Sequence, residues 1–194
     1  MTRKAEIKRK TGETEIELML DLDGSGRAEL STGVGFLDHM LAALARHARF
    51  DLALSCKGDL RVDDHHTAED CALALGQAID RALGERRGIA RFGWAYAPMD
   101  DALARASVDL SGRPFSVVRL GLSSDRVGDL ASENAEHAIA SLAQSARAAI
   151  HVDVLRGMND HHRAEAAFKA LALALRQAAA LDGSQEVPST KGVL

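Results

Sequence analysis

Asp63-Asp64-His65-His66-Thr67-Ala68-Glu69-Asp70 occurs a second time as Asn159-Asp160-His161-His162-Arg163-Ala164-Glu165-Ala166. Each copy opens an apolar-periodic run, so both read as the first turn of a helix. On that helix His65 and Glu69 share a face at i,i+4 and His66 and Glu69 share one at i,i+3, while the two imidazoles diverge by about 100°. One turn therefore serves two directions with a carboxylate between them.

Similar elements precede each copy. Residues 14–21 alternate, with Ile16, Leu18 and Leu20 set against Glu15, Glu17 and Asp21, and Asp23-Gly24-Ser25-Gly26 turns the chain toward a second strand near 27–31. This predicts a hairpin with one wet face. Gly33-Val34-Gly35 breaks it, and apolar residues at 37, 40, 41 and 44 predict a short helix carrying His39 in its first turn. Asp51 to Ser55 reads as a strand, Gly58 and Asp59 as a turn, and the His65 helix runs to about Leu83 before Gly84. Residues 85–103 are the least regular stretch.

From about 104 the pattern restarts. Strands are expected at Ala104 to Leu110 and Pro114 to Leu120, a helix at about 133–147 with His137 near its start, and a strand from Ala149 to Leu155. Asn159 and Asp160 can cap the second His-His helix, which runs to about Leu181 before Asp182-Gly183. His39 to His65 is 26 residues and His137 to His161 is 24, and Leu41 and Leu44 match Ile139 and Leu142. The expected fold class is α/β of the α+β type, a single domain over 1–194. Internal duplication gives halves of about 5–95 and 96–185, each a small β-sheet with paired helices on one face, followed by a tail at 186–194.

Composition narrows the function. A chain of 194 residues can bury a core without staples, and its net charge of −4 with interspersed signs has no basic stripe for nucleic acid and no polybasic membrane patch. The two cysteines, Cys56 and Cys71, have no metal or redox spacing and read as core filler in a reducing compartment. No run of 18 apolar residues occurs and Met1-Thr2-Arg3-Lys4 opens a charged segment without an apolar core, so a soluble, cytoplasmic protein is expected.

Six of the eight histidines, His39, His65, His66, His137, His161 and His162, fall in the duplicated pattern with Glu69 and Glu165. They divide into two three-His, one-Glu sets. Such N/O ligation without thiolate suits Mn²⁺, Fe²⁺, Zn²⁺ or Co²⁺ and leaves positions open for water or substrate. Adjacent imidazoles also decorate helix N-termini without binding anything, but repetition at matched spacing argues against that. Helix geometry assigns His65 with Glu69 to one ion and points His66 to another, mirrored by His161, His162 and Glu165. His151 reads as a satisfied structural histidine. His47, eight residues after His39, is open between packing and substrate contact.

Further stretches complete a resemblance: Phe36-Leu37-Asp38-His39-Met40-Leu41, Pro98-Met99-Asp100-Asp101-Ala102-Leu103, Ser111-Gly112-Arg113-Pro114, Phe168-Lys169-Ala170 after the second His-His copy, and Ser189-Thr190-Lys191-Gly192. Together, in order and over nearly the whole chain, they resemble the imidazoleglycerol-phosphate dehydratase family, in its form without an added phosphatase domain. The resemblance implies dehydration of D-erythro-imidazole glycerol phosphate to imidazole acetol phosphate in histidine biosynthesis. It also implies two Mn²⁺ ions per active site, with other divalent metals possible, and a homo-oligomeric shell of 24 subunits whose metal sites form between subunits.

The chemistry fits those residues. The carbon proton to be removed lies beside an imidazole rather than a carbonyl, so no enolate can form and the ring itself must accept electrons. A metal-bound imidazolate that expels the neighbouring hydroxyl through a diazafulvene-like intermediate would meet that need, with the metal as Lewis acid and template. A carboxylate must still move the carbon proton. Glu13 matches the family's active-site glutamate, and Asp100 and Lys169 are further catalytic candidates, Lys169 standing four residues beyond Glu165 where it could help the departing hydroxyl. Arg91, Arg113, Ser189 and Lys191 match its phosphate-binding positions, and Glu13, His47 and Lys169 are counted with them as substrate contacts. The tail would then order over the substrate rather than fray. Three departures stand out: Ala43 replaces a substrate-facing glutamine, the segment Asn134 to Ile139 lacks paired phenylalanines, and Arg147 stands where glycine is usual. All eight ligand candidates remain. Two other classes share some of these features, a dinuclear metallohydrolase of phosphate esters and a metal-binding assembly or storage protein.

Overall fold

The computed structural model describes residues 3–192; Met1 and Thr2 of the charged N-terminal segment and Val193 and Leu194 of the tail lie outside the described residues. The first half contains β1 (Lys4–Lys10), β2 (Thr14–Asp21), β3 (Ala28–Ser31), α1 (Gly35–Ala48), β4 (Asp51–Gly58) and α2 (His65–Leu83). The second repeats that order with β5 (Phe92–Met99), β6 (Ala102–Asp109), β7 (Phe115–Arg119), α3 (Ser132–Ser145), β10 (Ala149–Arg156) and α4 (Asp160–Ala178). A two-residue ribbon of β8 (Arg126–Val127) and β9 (Leu130–Ala131) is inserted before α3. The strands make two four-stranded sheets, ordered β1-β2-β4-β3 and β5-β6-β10-β7. In each, the last pair is parallel and the others antiparallel.

The duplication is therefore present, and each half carries one strand more than expected. β1 was hidden because only Ile7 of its seven residues is buried. β5 falls inside the stretch that read as irregular. The β2–β3 hairpin expected at Asp23 to Gly26 does not form: β2 pairs with β1 and β4, and β3 runs parallel to β4. The reason is Asp51 at the start of β4, whose Oδ1 accepts from the amides of Ser25, Gly26 and Arg27 at 2.7, 3.0 and 2.9 Å. That carboxylate draws the turn past β2 to the far side of β4. The amides of Arg27 and Ser25 hold its pKa down to about 2.

One face of each sheet is buried and the helices pack there, α2 on the first sheet and α4 on the second. The helices also pair across the halves, α1 with α4 and α2 with α3. Gly76 permits the second crossing, because a Cβ there would lie 2.1 Å from Ser145 Oγ and 2.6 Å from the Leu142 carbonyl. Each crossing is pinned at the helix starts. Asp129 accepts from the first amides of α1, Gly35 and Phe36, at 2.6 and 2.8 Å, an anion on a helix N-terminus. Buried Asp64 accepts from Ala131 N at 2.6 Å, and its equivalent Asp160 accepts from Ser123 N and Ser124 N at 2.9 and 2.7 Å. Asn159 caps α4 through His162 N, whereas Asp160, offered as a second cap, serves that loop instead. Both cysteines are buried and free, as core filler should be. Among the described residues no helix is long and apolar enough to cross a membrane.

Candidate active site

The helix pairing decides which imidazoles meet. α1 against α4 brings His39 of the first half to His161 and Glu165 of the second; α2 against α3 brings His137 of the second to His65 and Glu69 of the first. In both clusters one ligand atom from each residue lies within 4.8 Å of the others. In the first, Glu165 Oε2 is 3.4 Å from His39 Nε2 and 3.2 Å from His161 Nε2. In the second, Glu69 Oε1 is 3.2 Å from His137 Nε2, and the His65 and His137 rings stack at 4.8 Å. His65 is oriented by buried Asn134, whose Oδ1 lies 2.9 Å from His65 Nδ1. This centre opens onto a cleft of about 510 Å³ lined by Ser116, Glu133, Asn134 and Glu136 beside the two imidazoles.

The third imidazole of each expected set is elsewhere. The two imidazoles of each adjacent pair take different partners, with ring centroids 6.0 Å apart for His65 and His66 and 6.2 Å apart for His161 and His162. His66 Nδ1 faces Asp59 at 3.1 Å and His162 Nδ1 faces Asp101 at 2.6 Å. Their Nε2 atoms approach carboxylates on the tips of the first hairpin of each half, Glu13 Oε1 and Asp100 Oδ2, both at 3.5 Å. Glu13 and Asp100 thus occupy equivalent places. Asp59 and Asp101 were not singled out from sequence as imidazole partners, although Asp101 lies within the Pro98 to Leu103 stretch.

Lys169 reaches Glu165 Oε1 at 2.6 Å, the oxygen turned away from the imidazoles. Burial works to raise the Glu165 carboxyl, but the Lys169 ammonium, with His39, outweighs it and holds the group below the ordinary carboxylate value. His47 is half-buried near Lys169 and Glu165, and burial, with Lys169, holds its pKa below that of a free imidazole. Ala43, at the position where the resemblance implies a glutamine in relatives, is half-buried on α1. His151 is exposed on the outer face of the second sheet beside Phe115, so it is not the satisfied structural histidine expected. Its position on a strand sets it outward at alternate spacing.

Arg91 and the tail meet at the other end of α4, and exposed Arg113 lies three residues beyond Leu110. Arg91 pairs with Asp109 at 2.7 Å and donates to the Pro188 carbonyl at 2.8 Å, while its amide donates to Ala178 O at the end of α4. The Leu110 amide donates to the Arg91 carbonyl, which sets the Ser111-Gly112-Arg113 turn alongside. The tail docks through Gly88 N to Glu186 O and Asp182 N to Gly88 O, both 2.9 Å, and within it Lys191 N donates to Ser189 Oγ. α4 spans 19 residues. At ~1.5 Å per residue this group is roughly 25 Å from His161 of the same chain.

A model of the family described as imidazoleglycerol-phosphate dehydratase matches residues 32–175. An imidazoleglycerol-phosphate dehydratase of Phytophthora nicotianae is 60% identical over 99% of this chain, which spans 42% of that protein. One of Candida glabrata is 55% identical over 97% of this chain and 98% of its own length. The crystal structure of the Pyrococcus furiosus enzyme has 40% identity and a TM-score of 0.83 over 97% of this chain and all of its own, and that of the Staphylococcus aureus enzyme has 34% identity and the same TM-score over 92% and 99%. The chain belongs to the imidazoleglycerol-phosphate dehydratase family, the hydro-lyases of histidine biosynthesis.

Proposed function

We propose that the chain dehydrates D-erythro-imidazole glycerol phosphate to imidazole acetol phosphate with two Mn²⁺ ions per site, in a cytoplasmic homo-oligomeric shell of 24 subunits. One observation carries this reading: two His-His-Glu clusters converge in the chain, and the Arg91 and tail group lies about 25 Å along α4 from the one that holds His161. A substrate of a few ångströms cannot touch both in one chain, so a complete site needs a neighbour. The outward imidazoles of His66 and His162, each with Nδ1 held by a carboxylate and Nε2 turned toward an exposed tip carboxylate, suit completion of a neighbour's cluster.

The donor chemistry fits a divalent ion. Each cluster offers two imidazole nitrogens and a carboxylate oxygen, a hard-to-borderline set without thiolate, and leaves coordination positions for the outward imidazole and for substrate. When bound, such a pair of ions supplies Lewis-acid stabilisation for charge that the substrate ring takes up. The protein's own residues do the rest. Glu13, exposed at its hairpin tip, is placed to accept the carbon proton, and Asp100 occupies the equivalent place in the other half. Lys169 fixes Glu165 and has protons to give to the departing hydroxyl, which leaves as water. Arg91 and Arg113, with Ser189 and Lys191 of the tail, hold the phosphate through charge-assisted hydrogen bonds, and His47, within the field of Lys169, is a further substrate contact.

Dialysis against a chelator, followed by stepwise return of Mn²⁺, tests the reading. Turnover is expected to vanish and the particle to shrink by light scattering, both recovering with the metal. A metal-free enzyme that still dehydrates the substrate overturns the mechanism. Release of inorganic phosphate in place of water would reassign the site to a phosphate-ester hydrolase.

A further inference from the structure

We infer that the two clusters, alike in ligands, are unequal in affinity, and that His65, Glu69 and His137 take the first divalent ion while His39, His161 and Glu165 take the second. This rests on the metal-dependent reading above. It is carried by what stands behind the ligands, where the two halves of the duplication no longer match. Leu73 is the equivalent of Lys169 and Ser145 the equivalent of His47, counted from Glu69 and Glu165 and from His137 and His39. Behind Glu165 therefore lies an ammonium at 2.6 Å; behind Glu69 lie an alkyl chain and a hydroxyl that already donates to the Leu73 carbonyl at 2.8 Å.

Three physical consequences point the same way. The Lys169 ammonium neutralises the carboxylate that a divalent ion needs and repels that ion at short range, where the surroundings screen poorly. It also occupies Glu165 Oε1, which leaves only Oε2 toward the imidazoles, whereas Glu69 has no cation among its described partners and keeps both oxygens available. The imidazoles differ as well. His65 is held by Asn134 through Nδ1, which fixes the ring with Nε2 toward the cluster, while the residue equivalent to Asn134 is Phe36, whose ring lies edge-to-face with His161 at 5.2 Å between centroids and offers no hydrogen bond. A hydrogen-bonded partner behind a ligating histidine is worth about ten- to a hundredfold in metal affinity.

Calorimetric titration of the chelator-treated full-length protein with Mn²⁺ reads this directly, with free Mn²⁺ followed in parallel by electron paramagnetic resonance. Two classes of one ion per chain are expected, at least about tenfold apart in affinity. Lys169→Met should tighten the weaker class and leave the tighter one in place. Asn134→Ala should weaken the tighter class by about tenfold or more. A single class of two ions in the wild-type protein overturns the inference, and so do two classes that Lys169→Met leaves unmoved. Absence of any bound Mn²⁺ instead removes the metal-dependent reading itself, so the two failures are distinct.

Discussion

The two hairpin tips bring a carboxylate to the same distance from an outward imidazole and are held in place by unlike means. The first tip is tied to its helix from below: buried Asp70 on α2 accepts from Thr14 Oγ1 at 2.5 Å and from Arg9 Nη2 at 2.6 Å, which anchors both strands flanking Glu13. The second has Ala166 where Asp70 stands. Its anchor is on the tip itself, where Asp101 accepts from Met158 N and Asn159 N at 2.5 and 3.2 Å and pairs with His162 Nδ1. Duplication has kept the destination of the side chains while the supports have moved. What must be preserved in this site is therefore geometry at the imidazoles, and several local structures can supply it.

If the first tip depends on one buried carboxylate, Asp70→Ala should carry the largest cost. It leaves Thr14 and the half-buried Arg9 without their acceptor, a loss of roughly 3 kcal/mol for a charged hydrogen-bonded pair of this burial. Urea unfolding should read that loss. Turnover should fall as well because Glu13 loses its fixed strand. A loss below about 1 kcal/mol would mean that the tip is held by the ladder alone.

Asp101→Asn should act on the second tip through the imidazole more than through stability. With Asp101 no longer holding His162 Nδ1 as an anion, turnover should drop by about tenfold or more while the fold remains. The pH dependence separates the halves further. The Met158 amide, then His162 and the Asn159 amide, hold the Asp101 carboxyl far below its ordinary range. A depressed carboxyl contributes stability that is complete above its unfolded pKa and is lost as pH falls through the folded one. The stability difference between wild type and Asp101→Asn should accordingly be flat from neutral pH to about 4 and close below that. A difference that grows toward acid would contradict the assignment.

Comparison of these supports with the sequence explains what could be read from it. The eight imidazoles and carboxylates announce themselves by repetition, and α2 runs from His65 to Leu83 as its periodicity requires. The crossing of partners between halves is not written in any local pattern, since it follows from α1 lying on α4 and α2 on α3. β5 escaped for a different reason. Its large residues Phe92, Trp94 and Tyr96 point outward, and Gly93 and Ala97 point in, reversing the usual alternation. The inversion has a cause in packing: a Cβ on Gly93 would lie 2.0 Å from the Ala174 carbonyl, so the alanine-rich face of α4 approaches this strand too closely for a larger residue. Asp59 and Asp101 were invisible as imidazole partners because a carboxylate in a turn has many ordinary uses.

The backbone, unlike the supports, has kept its twofold likeness, and the smallest expected effect tests that. Arg49 follows α1 at φ 60° and Arg147 follows α3 at φ 51°, equivalent positions counted from His39 and His137. Both occupy the left-handed region that glycine adopts without a steric penalty, and the resemblance noted in the sequence places glycine at Arg147. Replacing either with glycine should stabilise the protein by about 0.5–1 kcal/mol, the relief of strain being partly offset by the greater freedom of glycine in the unfolded chain. The gain should be slightly smaller for Arg147→Gly, which gives up a weak contact with Asp80 at 4.0 Å. Thermal unfolding of the two single variants and the double variant reads this. Additive gains, the one at Arg147 slightly the smaller, would mean that the helix ends remain true repeats, whereas destabilisation at either position would mean that the arginine there does something the backbone does not explain.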